Sequence, residues 1–219
     1  MKFVNLDPAD AFAKAIKASS KDNKLVVCGT EEDKSYIEEH LLESSQSPKD
    51  IIRAATKIKA ATWLNQRRQL LESNEELNLA EITGEWKAES SDKQGFNLAT
   101  DFVTGEAVDN LLGVKIKTDS SWKVPAHFKF GGWNACPEPE VHCAMWKHWQ
   151  LKYGAKIVGV SNDVIEAYIT KPPQTAEEAM ELAWEQYLYC PDIVDQGVET
   201  VSKLAEVLLN HDCWYFWWD

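Results

Sequence analysis

No apolar run in the 219 residues approaches the roughly 18 that a membrane-spanning helix requires. The first residues, Met1-Lys2-Phe3-Val4-Asn5-Leu6-Asp7-Pro8, hold no apolar stretch of the kind that a secretion signal carries. Both absences point to the cytoplasm. Arginine is scarce, with Arg53, Arg67 and Arg68 the only three, and positive charge as a whole is in deficit: 23 Lys and Arg face 35 Asp and Glu, a net charge of −12. Phosphate backbones are held by clustered cations, so nucleic acid is excluded as the expected partner. Paired cysteine spacing is missing too. Cys28, Cys136, Cys143, Cys190 and Cys213 are odd in number and widely separated, which favours reduced thiols over a disulfide framework.

What the chain does have is aromatic density at its end. Trp214-Tyr215-Phe216-Trp217-Trp218 precedes Asp219. Each such ring buries roughly 150–250 Å², so at about 25 cal/mol per Å² the run carries on the order of 20 kcal/mol of gross burial as an upper bound. It must be core or interface. Hydrophobic residues make up 44% of the chain, enough for a substantial core. Charge is uneven along it: residues 1–75 are balanced, whereas residues 76–219 supply the whole acidic excess. Such a surface attracts a basic protein or a cation, or simply keeps the protein soluble.

Local signals predict an α/β chain, with mixed α+β as the variant: a central mixed sheet covered by helices. Asp7-Pro8-Ala9-Asp10 opens a helix to about Ser19, and Leu25–Cys28 reads as a short buried strand. Thr30-Glu31-Glu32-Asp33 caps a helix with Ile37 and Leu41 inward. Ser47-Pro48-Lys49-Asp50 starts a long helix to about Ser73 that carries all three arginines with Lys57 and Lys59, a basic stripe for the acidic half of the chain or for docking. Lys87–Gly95 is polar and aperiodic, the best linker, and divides the chain into an N-terminal region, 1–90, and a C-terminal domain, 91–219. Strands are expected near Leu111–Lys117 and His127–Phe130, then a helix from Pro137 to Tyr153 closed by Gly154. A hairpin follows, Ala155–Val160 and Val164–Ile169, then a helix from Thr175 to Tyr189 and another after Gly197. Cys213–Trp218 is the last strand. Its apolar residues fall on both parities, which predicts covered faces and a central place in the sheet.

Gly131-Gly132-Trp133-Asn134-Ala135-Cys136-Pro137, Trp149-x3-Tyr153-Gly154-Ala155, Glu185-Gln186-Tyr187-x-Tyr189-Cys190-Pro191-Asp192 with Gln196-Gly197, and the terminal aromatic run are four rare strings in fixed order. Together they resemble a bacterial domain family of unknown function, number 4253. The resemblance implies a compact α/β domain ending in this aromatic strand. It implies no activity, no cofactor and no catalytic residues.

Candidate chemistry is read from residue types. Cys136 and Cys190 each precede a proline at an expected helix start, where unpaired N–H groups favour thiolate; Glu138 and Asp192 oppose it, so small buried caps are the preferred reading. Cys136, His142, Cys143 and His148 lack zinc spacing, and no metal is assigned. His142, Trp146, Trp149 and Tyr153 share one helical stripe, which suits core, an interface, or a platform for a flat cation. Glu185, Asp192, Asp195 and Asp219 form an acidic set, with Asp219 expected at the carboxyl edge of the sheet, where open α/β folds bind ligands.

Two functions follow. The first is a cytosolic protein-binding module, of the immunity or antitoxin type, that masks a basic bacterial toxin or effector; Trp133, Trp146, Trp149, Tyr153, Glu185, Asp192 and Asp195 would carry the binding, without a cofactor. The alternative is a small metal-dependent hydrolase using Asp192, Asp195 and Asp219 with His127 or His142. The first is preferred, so the chain is read as more a binder than an enzyme.

Overall fold

The computed structural model describes residues 1–87, 95–101 and 103–219. Six strands form one mixed sheet in the order β1-β3-β2-β4-β5-β6: β1 Phe3–Asn5, β2 Asn23–Gly29, β3 Leu112–Lys117, β4 Lys156–Val160, β5 Val164–Tyr168 and β6 Cys213–Trp217. β2 and β4 pair in parallel, and every other neighbouring pair is antiparallel. The α-helices among the described residues are α1 Ala11–Ser19, α2 Glu31–Glu43, α3 Pro48–Ala55, α4 Ala60–Glu72, α5 Leu79–Thr83, α6 Val124–Phe128, α7 Pro139–Tyr153, α8 Ala176–Tyr189 and α9 Val201–Leu208.

Strand periodicity sorts side chains onto two faces of unequal weight. Val26 and Cys28 of β2, Val114 and Ile116 of β3, and Trp214, Phe216 and Trp218 at the end of the chain enter the larger core, which is shared with α7, α8 and α9. Leu25 and Val27 point the other way, into a smaller cluster under α1 that includes Ala99, Leu111 and Val158. Several local signals act as their chemistry requires. Thr30 N–H donates to Asp33 Oδ2 at 2.8 Å in a capping box that starts α2. Thr175 Oγ1 accepts from Glu178 N at 3.2 Å at the start of α8. Gly154 closes α7 in the left-handed conformation, φ 62°.

Four expectations are corrected. The aromatic strand β6 lies in the sheet but at its edge, not its centre. Covered faces produce apolar residues on both parities; the edge is a separate matter, and here the turn after α8 meets its outer polar groups. Cys190 Sγ donates to Trp217 O at 2.9 Å, and Asp219 N donates to Asp192 Oδ2 at 3.2 Å. The helix from Ser47 to Ser73 is two helices, because Thr56 turns its hydroxyl back onto Arg53 O at 2.7 Å and the chain tightens through Lys57 and Ile58. The break lets α3 pack on α7 while α4 packs on α8. His127–Phe130 is no strand: Pro125 suits the first turn of α6, which ends where Lys129 adopts φ 52°. Lys129 Nζ then donates to the carbonyls of Leu41 (2.7 Å) and Ser44 (2.5 Å), placing a cation at the C-terminus of α2.

The fourth correction concerns the division at residue 90. β2, from the N-terminal region, lies between β3 and β4, and Ile37, Ile51 and Leu64 share the larger core with Trp146 and Phe216. The two parts complete one another. The linker expected at 87–95 falls mostly on residues 88–94, outside the described residues.

Candidate functional site: an acidic, aromatic-walled cleft

Because β5 reverses direction after β4 and β6 reverses again, β2, β4 and β6 all end at the same edge of the sheet. A cleft of about 510 Å³ opens there. Four elements wall it: α2 through Tyr36, Glu39, His40 and Glu43; the loop after α6 through Phe130 and Trp133; the β4–β5 turn at Ser161–Asp163; and the chain end at Trp217–Asp219.

Each wall is held by bonds that the local sequence makes possible. In the turn, Ser161 N donates to Val164 O at 3.0 Å, and Ser161 Oγ donates to Asp163 Oδ1 at 3.1 Å. Trp217 Nε1 donates to the other carboxylate oxygen, Asp163 Oδ2, at 3.1 Å, so strand end and turn are tied together. Burial pushes the Asp163 carboxyl above its ordinary range, and the bonds from Ser161 and Trp217 oppose that shift. Trp133 meets His40 edge-on at 5.6 Å and Phe130 at 5.0 Å. Because Lys129 O can only accept, His40 Nε2 must be the donor in their 2.7 Å bond, which fixes that ring position as N–H. Asn134 Nδ2 reaches Asp219 O at 2.7 Å and closes the cleft behind Trp133.

The loop bearing Trp133 depends on Gly131, whose φ is 108°. A Cβ there would stand 2.0 Å from Pro137 O and 2.6 Å from His142 Nε2. Gly131→Ala is therefore expected to cost roughly 1–3 kcal/mol from backbone conformation alone, with the clash added. Thermal melting of the variant checks this, and an unchanged midpoint would show that the loop is not packed as described.

Beneath the cleft lies a buried polar chain. Trp146 Nε1 donates to the Tyr189 hydroxyl oxygen at 3.0 Å, the same hydroxyl is hydrogen-bonded to His142 Nδ1, and His142 Nε2 lies 3.3 Å from Cys136 Sγ. The indole can only donate, so the arrangement that satisfies every group has Tyr189 donating to Nδ1 and His142 presenting Nε2–H to the sulfur. A base for Cys136 would need the opposite tautomer. Burial lowers the pKa of His142 to about 3 and raises those of Cys136 and Tyr189, so all three stay neutral near pH 7. This chain satisfies buried polar groups; it does not activate a nucleophile.

The residues expected from sequence are dispersed. Trp133 lines the cleft, as does Asp219, and Asp192 touches the cleft wall through the Asp219 N–H. Trp146, Trp149 and Tyr153 are 1%, 0% and 4% exposed; they are core, and their expected role in binding a partner is withdrawn. Glu185 is half-buried between α7 and α8. Burial acts to raise its pKa, but bonds from His148 (3.1 Å) and Trp149 (2.8 Å) together with Lys152 hold the carboxyl below its usual range. Asp195 is paired with Tyr187, and its pKa is raised by burial. His142 is fully buried, so it cannot serve the acids as a catalytic partner. Cys190 ends α8 and does not begin a helix; burial raises its thiol, as it does that of Cys136, which overturns the thiolate reading. Among the described residues, no group of three or more His, Cys, Asp or Glu is arranged to hold a metal ion. Of the acids and His142 named for a hydrolase, Asp219 lines the cleft and Asp192, Asp195 and His142 do not.

The α2 wall was not anticipated from sequence. Its signal is the spacing Tyr36, Glu39, His40, Glu43, one helical stripe at i, i+3, i+4 and i+7, which reads as ordinary solvated surface until the opposite wall is known. Among the described residues, no helix is long and apolar enough to cross a membrane. No curated protein and no solved structure matches the chain. Residues 113–219, from β3 to the aromatic end that closes the cleft, match the model of the domain of unknown function DUF4253.

Proposed function

We propose that the chain is a cytosolic binding module that holds a basic protein partner, in the manner of an immunity or antitoxin-type inhibitor that masks a basic toxin or effector. The observation that carries this is the cleft: Glu39, Glu43, Asp163 and Asp219 line it, Trp133 and Trp217 stand in its walls, and among the described residues no lysine or arginine lines it. Aromatic anchors with a surrounding field of one sign are the features that favour capture of a partner of opposite charge. The net charge of −12 extends that field over the molecule.

The test is affinity capture from the native host, followed by titration with the captured protein, beginning with the product of any gene adjacent to this one. Binding to a basic protein is expected to weaken at least about tenfold between 0.05 and 0.5 M salt, since surface charges are screened over that range. Capture of no partner, or an affinity indifferent to salt, would overturn the proposal.

A further inference from the structure

We infer that the cleft seats the guanidinium of an arginine side chain; the inference rests on the proposed function and names the group that the partner would present. The volume of about 510 Å³ is more than a single side chain fills, so the chain bearing the arginine enters with it. The half-buried rings of Trp133 and Trp217 supply aromatic surface, and the exposed Glu39 and Glu43 lie on the α2 wall. A planar cation that stacks and also donates in pairs to carboxylates uses both features at once, whereas an ammonium is a point charge that uses mainly the second.

The protein already makes this arrangement for itself. Arg68 places its guanidinium 4.5 Å from the Trp184 ring while facing Glu72 at 3.6 Å. In the cleft the aromatic rings and carboxylates are present while no lysine or arginine among the described residues lines it, and charge complementarity selects the occupant. Anionic occupants face Glu39, Glu43, Asp163 and Asp219 and are disfavoured by the same field.

The probes are Nα-acetyl-arginine methylamide and its lysine and citrulline counterparts, titrated into the intact chain while the indole N–H signals of Trp133 and Trp217 are followed by NMR. The Trp217 N–H is bound to Asp163, so a cation competing for that carboxylate shifts it. The expected result is a saturable shift with the arginine probe, binding weaker by about fivefold or more with lysine, and none with citrulline. Glu39→Gln with Glu43→Gln, two exposed positions, should weaken arginine binding about tenfold while leaving the melting curve unchanged. No saturable shift with arginine, equal binding of lysine or citrulline, or indifference to the double variant would each overturn the inference. The same variant separates the two readings. A partner that binds it undiminished, with the arginine probe silent, refutes this cleft and leaves the basic partner standing; a responsive cleft with no partner captured does the reverse.

Discussion

Deleting Trp214–Asp219 is expected to leave no cooperatively folded protein. Trp214, Phe216 and Trp218 are 1%, 0% and 1% exposed. Their rings pack against Trp146, Trp149, Tyr153, Tyr189 and Phe130 at centroid separations of 5.2–5.8 Å. At roughly 200 Å² per ring and about 25 cal/mol per Å², the three carry on the order of 15 kcal/mol of gross burial, which matches or exceeds the whole stability of a typical domain, about 5–15 kcal/mol. The deletion also strips β5 of its partner along the register from Val164 to Ala167 and exposes a new edge. Trp218→Ala alone is expected to cost about 3–5 kcal/mol. Leu151→Ala, at a side chain that is 76% exposed, should fall within about 0.5 kcal/mol of the parent. Circular dichroism melts of the three variants give the comparison. A soluble, cooperatively melting truncated chain would show that the aromatic strand is an attachment to a core complete without it.

Glu166 supplies the second large effect. It is fully buried on β5, where its carboxylate accepts from Asn97 N at 2.5 Å and Leu98 N at 3.4 Å and so fastens the segment after residue 95 to the sheet. Burial pushes its pKa up to about 7, against the opposing effect of those two backbone donors. An acid whose folded pKa lies above its unfolded value of 4.5 holds its proton better in the native state. The associated stability is therefore complete below about pH 4.5 and is lost as pH rises through 7, an amount on the order of 3 kcal/mol. Cys213 and Tyr215 on β6, which interact electrostatically with Glu166, both have their pKa values raised by burial and remain neutral across this range. Glu166→Gln removes the titration, although its amide serves the Leu98 N–H less well. Urea unfolding at pH 5 and pH 8 is expected to show the variant gaining about 2.5 kcal/mol relative to the parent between the two. Parallel pH profiles for parent and variant would mean that Glu166 is not the group that titrates.

Glu166 also marks where sequence reading stops. A glutamate between Ile165 and Ala167 in a predicted strand reads as the solvent face of a hairpin. Only the segment containing Asn97 and Leu98, folded over that face, makes it buried. The aromatic strand shows the same limit from the other side: its burial followed from composition, whereas its edge position depended on Cys190 and Asp192 reaching its outer main chain. His127–Phe130 alternates as a strand does, yet Pro125 and the docking of Lys129 on α2 made it the end of a helix.

Much of the architecture was nonetheless determined by sequence alone. Side chains bonding within a few residues, as Thr30 with Asp33 and Thr175 with Glu178, set helix starts; Gly154 set a helix end; and the hairpin of β4 and β5 followed from apolar runs flanking Ser161-Asn162-Asp163. These are short-range interactions, complete before distant parts of the chain meet. The order of the strands, the burial of Trp146 and Trp149, and the cleft between α2 and the aromatic end were decided by tertiary structure. Each depends on groups from separate elements of the chain, as Trp146 with Phe216, Lys129 with Leu41 and Asn134 with Asp219. Such pairings are chosen by packing and by the need to satisfy buried polar groups, which no local pattern encodes.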